Sequence, residues 1–71
     1  MKYIAVIAKE KRQFDSFLRP WVNPVDRKKF KLVRRVEDVY GCEFIECISI
    51  GDYSRIRDYS YIHEVVYSRI R

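Results

Sequence analysis

"KYIAVIA", running from Lys2 to Ala8, is the stretch that decides the fold. It is apolar at nearly every position, and Ile4, Val6 and Ile7 are β-branched. A strand that is apolar on both of its faces is typical of the centre of a parallel sheet, where helices cover both sides. The sequence therefore predicts that the first strand lies in the middle of such a sheet.

The segment after this strand changes its apolar period from two residues to that of a helix. Pro20 lacks a backbone N–H and disfavours a helical Arg19, so the helix is predicted to end near Leu18 or Arg19. "NPVD", at Asn23–Asp26, is predicted to be a loop. The apolar residues have the spacing of one helical face, and the last two are expected to fold back onto the same core: Phe14, Phe17, Leu18, Trp21 and Val22.

Two more strands and a closing helix follow. The second strand is predicted over Phe30–Arg34, at an edge of the sheet, with Phe30 and Leu32 on one face. "VEDVYG" predicts one short helical turn, which Gly41 ends in a left-handed conformation. The third strand is predicted over Glu43–Ile50, also at an edge because a charge, Glu46, stands in its middle.

The final helix is predicted to begin at Asp58, whose side chain suits the N-cap position. It carries an apolar stripe at helical spacing: Tyr59, Ile62, Val65, Val66 and Ile70.

These elements predict a single α/β domain over residues 1–71, because so short a chain has room for only one core. The connections favour a three-stranded parallel sheet in the order 2-1-3, half of a flavodoxin-like or Rossmann-like fold, with helices packed on it. Its two open edges, or a helix, offer a route to a homodimer, and an edge could also pair with a partner's strand.

Several motifs occur in an order that matches a known group of proteins: "MKYIAVIA", "NP", "VRRVEDVYG", "FIECISIGDY" and "RDYSYIHEVV". In this order the sequence resembles a family of small bacteriophage-encoded α/β proteins of unknown function. The resemblance implies a viral origin and the fold, but no activity. One departure is that Ala8-Lys9-Glu10 stands where a glycine often follows the first strand in that family, which argues against a phosphate-cradling first loop.

The residues that could do chemistry are few. Cys42 and Cys47 lie five residues apart in an apolar run that reads as a strand, so they would be about 16 Å apart, which is too far for a disulfide. The single histidine, His63, is interpreted as structural and leaves no zinc-binding set. Neither Ser54 nor Cys47 has a base beside it in the sequence, and no dinucleotide or P-loop motif is present. We therefore expect no enzyme activity, no cofactor and no metal.

Ligands of open parallel sheets bind beyond the carboxyl ends of the strands. That rim is predicted to be basic and to attract an anion such as a phosphate, although a solvated surface would have the same composition. Because tyrosine and arginine are enriched at interface hot spots, the sequence predicts a module that binds a host or viral protein. The candidate site residues are Lys9, Arg12, Arg34, Arg35, Tyr53, Ser54 and Arg55.

The alternative function is that of a nucleic-acid-binding accessory protein. It would use Arg27–Arg35, which contains six basic residues, with Phe30 among them to stack on a base. The net charge of +5 permits a polyanionic partner without requiring one.

"YSRIR" occurs twice, at Tyr53–Arg57 and at Tyr67–Arg71. The first copy is predicted to be an exposed rim loop, and the second the last turn of the closing helix. The first apolar run is too short for a signal peptide or a membrane span, so a cytoplasmic location is predicted, in the host cell if the protein is viral.

Overall fold

A computed structural model describes residues 2–20 and 24–70 of the chain. The predicted packing of Trp21 and Val22 lies outside the described residues. The main elements, in chain order, are β1 (Lys2–Ile7), α1 (Lys11–Leu18), α2 (Pro24–Arg27), β2 (Phe30–Val33), β3 (Glu43–Ser49) and α3 (Tyr59–Ser68). Two short 3-10 helices, Val36–Asp38 and Tyr53–Arg55, lie before and after β3.

The three strands form a parallel sheet in the order β2-β1-β3, as predicted. Val6 of the central strand lies opposite Leu32 on one side and Ile48 on the other. β1 takes the centre because its apolar side chains have to be covered on both faces. Ala5, Val6 and Ile7 accordingly have no exposed surface.

The two faces of the sheet are covered by different helices. On one face, Phe17 of α1 packs edge-to-face against Phe30 of β2, with 5.7 Å between the ring centroids. Phe30 and Leu32 share this face, as the alternation of the strand predicts. The opposite face, which α3 and the first 3-10 helix cover, holds the main core cluster: Ala5, Ile7, Val33, Val39, Phe44, Ile62 and Val66.

The prediction of a loop at Asn23–Asp26 is wrong in its described part, because residues Pro24–Arg27 form the short helix α2. Proline suits the first position of a helix, where the missing N–H would have no intrahelical partner. Asp26 stabilises the same turn from within, since its carbonyl oxygen accepts a hydrogen bond from the Lys29 N–H at 3.1 Å.

Other helix and strand boundaries differ from the predictions by one residue, or agree in position but not in how the chain is capped. β2 ends at Val33 rather than Arg34, and β3 ends at Ser49 rather than Ile50. Gly41 does adopt the predicted left-handed conformation, with φ of 79°. Asp58 does stand at the start of α3, but it is itself left-handed, with φ of 62°, and its side chain caps nothing.

Both copies of "YSRIR" differ from their predicted conformations. The first begins with the 3-10 helix Tyr53–Arg55 instead of a loop, although it lies at the end of β3 as predicted. In the second copy α3 ends at Ser68, and Ile70 leaves the helix to form a parallel bridge with Phe44 of β3.

This bridge covers the beginning of the outer edge of β3. The Phe44 N–H donates to the carbonyl oxygen of Arg69 at 3.3 Å. The next residue, Ile45, is the extra residue of a bulge in the β1–β3 register, and its side chain is 48% exposed. Any strand added to this edge would therefore have to pair beyond the bulge, from Glu46 onward.

Candidate binding site

Five basic side chains come together beyond the carboxyl ends of β1 and β2. They line an open cavity of about 500 Å³, together with the half-buried Ile56. The chain segments that follow β1, β2 and β3 each contribute to it. The five residues, called the basic cluster below, are Lys9, Arg34, Arg35, Arg55 and Arg57.

Two kinds of hydrogen bond position the part of the cluster that follows β2. The carboxylate of Asp38 accepts hydrogen bonds from the backbone N–H groups of Arg34 and Arg35, at 2.9 and 3.0 Å. The Arg34 Nε donates to the carbonyl oxygen of Lys9 at 3.2 Å. Because the Asp38 carboxylate binds backbone N–H groups, it fixes this loop without forming an ion pair with the guanidinium group of Arg34 or Arg35.

The part of the cluster that follows β3 is held by the 3-10 helix Tyr53–Arg55. The Arg55 N–H donates to the Asp52 carbonyl oxygen at 2.9 Å, and the Ile56 N–H to that of Tyr53 at 3.0 Å. Ile56 packs against the main core cluster and adopts an extended conformation. It thereby anchors the chain between Arg55 and Arg57, and both of these line the cavity.

The basic cluster has no ion-pair partner in the part of the chain that the structure describes. The two ion pairs found there join Arg12 to Glu10 and Lys29 to Asp26. All five side chains of the cluster are exposed, so each positive charge is screened by solvent and salt. Together they nevertheless leave one local excess of positive charge at the rim, which attracts an anionic ligand.

The structure brings together four of the seven predicted site residues: Lys9, Arg34, Arg35 and Arg55. Arg12 instead pairs with Glu10 and lines a separate cavity of about 580 Å³ beside Gly51. Tyr53 packs its ring against Tyr59, with 5.0 Å between the centroids. Ser54 is exposed in the same 3-10 helix but does not line the basic cavity.

Sequence reasoning missed Arg57. The signal that would have found it is the alternation in "RIR", since an apolar residue that turns inward leaves its two neighbours on the other side of an extended segment.

A third cavity, of about 420 Å³, adjoins the basic cavity and is less polar than it; it is called the apolar pocket below. Four residues line both the basic cavity and the apolar pocket: Arg34, Arg35, Ile56 and Arg57. The residues that line the apolar pocket but not the basic cavity are Val36, Glu37, Asp58, Tyr61 and Ile62.

Only two residues of the basic segment Arg27–Arg35, Arg34 and Arg35, line the basic cavity. Lys28 and Lys29 precede β2, Lys31 lies within it, and Arg34 and Arg35 follow it; Lys29 and Arg34 are five residues apart, about 16 Å along an extended strand. Phe30 packs against Phe17 inside the α1 layer. The ring that would have stacked on a base therefore has a structural contact already.

The nucleophiles and the histidine have structural surroundings. Cys42 and Cys47 are both free thiols, and burial raises the pKa of Cys47 to about 11. His63 lies on α3 between two tyrosine rings, 5.6 Å from Tyr59 and 4.5 Å from Tyr67. Among residues 2–20 and 24–70, no group of three or more His, Cys, Asp or Glu side chains is arranged to hold a metal ion. Nor is any helix in these ranges long and apolar enough to cross a membrane.

Comparison with protein-family models, with curated proteins and with solved structures found no match to this chain. The resemblance to small bacteriophage proteins therefore stays a prediction.

Proposed function

We propose that the protein is a non-enzymatic interaction module, and that the basic cluster binds an acidic segment of a partner protein. The observation that carries this proposal is the convergence of five basic side chains without ion-pair partners, within the described residues, on one cavity. Arginine is suited to such a site because its planar guanidinium binds a carboxylate through two parallel hydrogen bonds.

A protein partner is favoured over nucleic acid by the shape of the charged surface. Phosphate backbones are bound by basic residues arranged along a track, often with exposed aromatic rings beside them. Here only Arg34 and Arg35 of the linear basic segment line the cavity, and Phe30 is packed against Phe17. Binding of nucleic acid remains the second candidate, because Arg34 and Arg35 of that segment belong to the basic cluster.

The proposal extends to the origin and setting of the protein. The motif resemblance supports a bacteriophage protein that binds a host or viral protein in the host cytoplasm. The free thiols of Cys42 and Cys47 are compatible with a reducing compartment. A homodimer formed through a sheet edge or a helix is also proposed, with the β2 edge favoured, because Ile70 covers the start of the β3 edge.

Affinity capture with the tagged protein tests the proposed function. The host lysate is divided, and one half is treated with nuclease before capture. We expect an acidic host protein to be retained in both halves, and to be lost when the bait carries Arg55→Glu and Arg57→Glu. The control bait, Lys28→Glu with Lys29→Glu, has the same change in net charge at the opposite end of the sheet and should keep the partner.

Three results would contradict the proposal. Capture that disappears after nuclease treatment would favour the nucleic-acid alternative. Equal loss in both charge-reversed baits would mean that net charge, and not the basic cluster, governs retention. A bait that captures nothing from host lysate would leave the interaction module without support.

A further inference from the structure

The basic cavity and the apolar pocket are adjacent. They share four lining residues: Arg34, Arg35, Ile56 and Arg57. Together they make a groove with a cationic half and a less polar half.

The less polar half presents one large exposed ring. Tyr61 of α3 is 55% exposed, although its neighbour Ile62 is only 2% exposed and belongs to the core. Tyr61 lines the apolar pocket together with Ile56 and with three arginines of the basic cluster, Arg34, Arg35 and Arg57. A tyrosine in that position offers apolar contact area at a low entropic cost, which is why this residue type is common at binding hot spots.

The two acidic residues of the groove are confined to this half. Glu37 and Asp58 line the apolar pocket but not the basic cavity. An acidic ligand group would be attracted more strongly to the basic cavity, which has no acidic lining residue, than to the apolar pocket, where Glu37 and Asp58 offset part of the positive charge. The groove is therefore electrostatically polarised along its length.

We propose that this groove binds a short extended peptide in which acidic residues stand next to an apolar residue. The inference rests on the proposed function and names the chemistry of the partner segment. The acidic side chains bind the guanidinium groups of Arg55 and Arg57, and the apolar side chain packs against Tyr61 and Ile56. Beyond the apolar residue, Glu37 and Asp58 favour a neutral or basic continuation of the peptide.

Fluorescence anisotropy with synthetic peptide pools tests this arrangement. The first pool consists of dodecapeptides with three fixed acidic residues followed by two positions randomised over Leu, Ile, Val, Phe, Tyr and Trp. In the second pool serine replaces the two apolar positions, and in the third glutamine and asparagine replace the acidic residues. We expect the first pool to bind at least tenfold more tightly than the second, and the third to bind weakly.

Two variants assign the halves of the groove. Tyr61→Ser should reduce the affinity for the first pool to that for the second pool, and should leave the second unchanged. Arg57→Glu should weaken both pools by tenfold or more. Tyr67→Ser is the matched control, because Tyr67 is 52% exposed on the same helix but lines neither cavity.

The possible failures are distinguishable. If the first two pools bind equally and Arg57→Glu weakens both, the acidic site stands and the apolar half of this inference is wrong. If neither acidic pool binds, the proposed function fails as well. If a single-stranded twelve-nucleotide oligothymidine binds instead and Arg57→Glu abolishes that binding, the groove is a nucleic-acid site and both proposals are overturned.

Discussion

The Asp38 carboxylate binds the backbone N–H of Arg34 and not its guanidinium group: Asp38 Oδ2 lies 2.9 Å from the Arg34 backbone nitrogen. The same oxygen accepts the N–H of Arg35 at 3.0 Å, and the Asp38 N–H donates back to the Arg35 carbonyl oxygen at 3.0 Å. These bonds satisfy the backbone donors of the two residues that follow β2. They end the strand and direct two arginines into the rim at the same point.

Replacing Asp38 by alanine should therefore lower the free energy of unfolding by about 1–2 kcal/mol, the usual effect of removing a side chain that caps backbone N–H groups. Urea denaturation at neutral pH measures this difference. Asp38→Asn should cost less, since its amide oxygen can still accept. Asp15→Ala is the control, because Asp15 is exposed on α1. Equal stability of Asp38→Ala and the unmodified protein would contradict this role.

Gly51 is predicted to be intolerant of alanine. Its φ is 60°, and an added Cβ would lie 2.7 Å from the side-chain amide of Gln13. That amide oxygen also accepts the Glu10 N–H at 3.3 Å, at the start of α1. Gly51→Ala should lower the free energy of unfolding by more than about 1–2 kcal/mol, because backbone strain and the displacement of Gln13 both contribute.

Gly41→Ala separates these two contributions. Gly41 has φ of 79°, but an added Cβ there meets nothing within 4 Å, so only the backbone strain remains. Urea denaturation should give a smaller loss for Gly41→Ala than for Gly51→Ala. If the two losses are equal, contact with Gln13 has no part in the effect.

The centre of the sheet could be predicted because its cause is local. Lys2–Ala8 is apolar on both faces by itself, and only a central position covers both. The short helix Pro24–Arg27 could not be predicted in the same way. Four residues do not form a stable helix alone, so their conformation depends on the rest of the fold. Asp58 shows that a residue type favoured at N-caps does not ensure a side-chain cap. It stands at the start of α3 in a left-handed conformation, and its side chain forms no capping hydrogen bond.

The candidate site could be predicted only to the extent that topology fixes it. Parallel strands bring their carboxyl ends to one rim, which was enough to place Lys9, Arg34, Arg35 and Arg55 together. Which side chains at that rim face the cavity depends on local contacts. Arg12 lies on α1, where it pairs with Glu10 and lines a different cavity, and the packing of Ile56 against the core determines where Arg57 lies.

A side-chain hydrogen bond between Tyr59 and Ser49 connects α3 to the end of β3, and its contribution to the free energy of unfolding can be measured. The Tyr59 hydroxyl lies 2.9 Å from the Oγ of Ser49 in a half-buried position. Tyr59→Phe keeps the ring contacts with Tyr53 and His63, so it should cost only the hydrogen bond, about 0.5–1.5 kcal/mol of unfolding free energy.

A double-mutant cycle with Ser49→Ala checks the assignment. We expect a coupling energy of roughly 1 kcal/mol between the two substitutions, because each removes the same bond. Tyr67→Phe is the matched control and should change stability by less than about 0.5 kcal/mol, the usual limit at exposed positions. Additive effects of Ser49→Ala and Tyr59→Phe would show that the two hydroxyls do not interact in solution.

Cys47 should react slowly with iodoacetamide. Burial raises its pKa from 9.0 to about 11, and only the thiolate is nucleophilic. In a Cys42→Ser variant, where Cys47 is the only thiol, the alkylation rate should rise about tenfold per pH unit from pH 8 to 10. Urea-unfolded protein should react about 100-fold faster at pH 8, which corresponds to the two units between these pKa values. Because the pKa is raised, the contribution of the protonated thiol to the free energy of unfolding is fully present below pH 9 and is lost as the pH rises through 11. A rate that levels off near pH 9 in the folded protein would show that Cys47 is not shielded as its packing against the main core cluster implies.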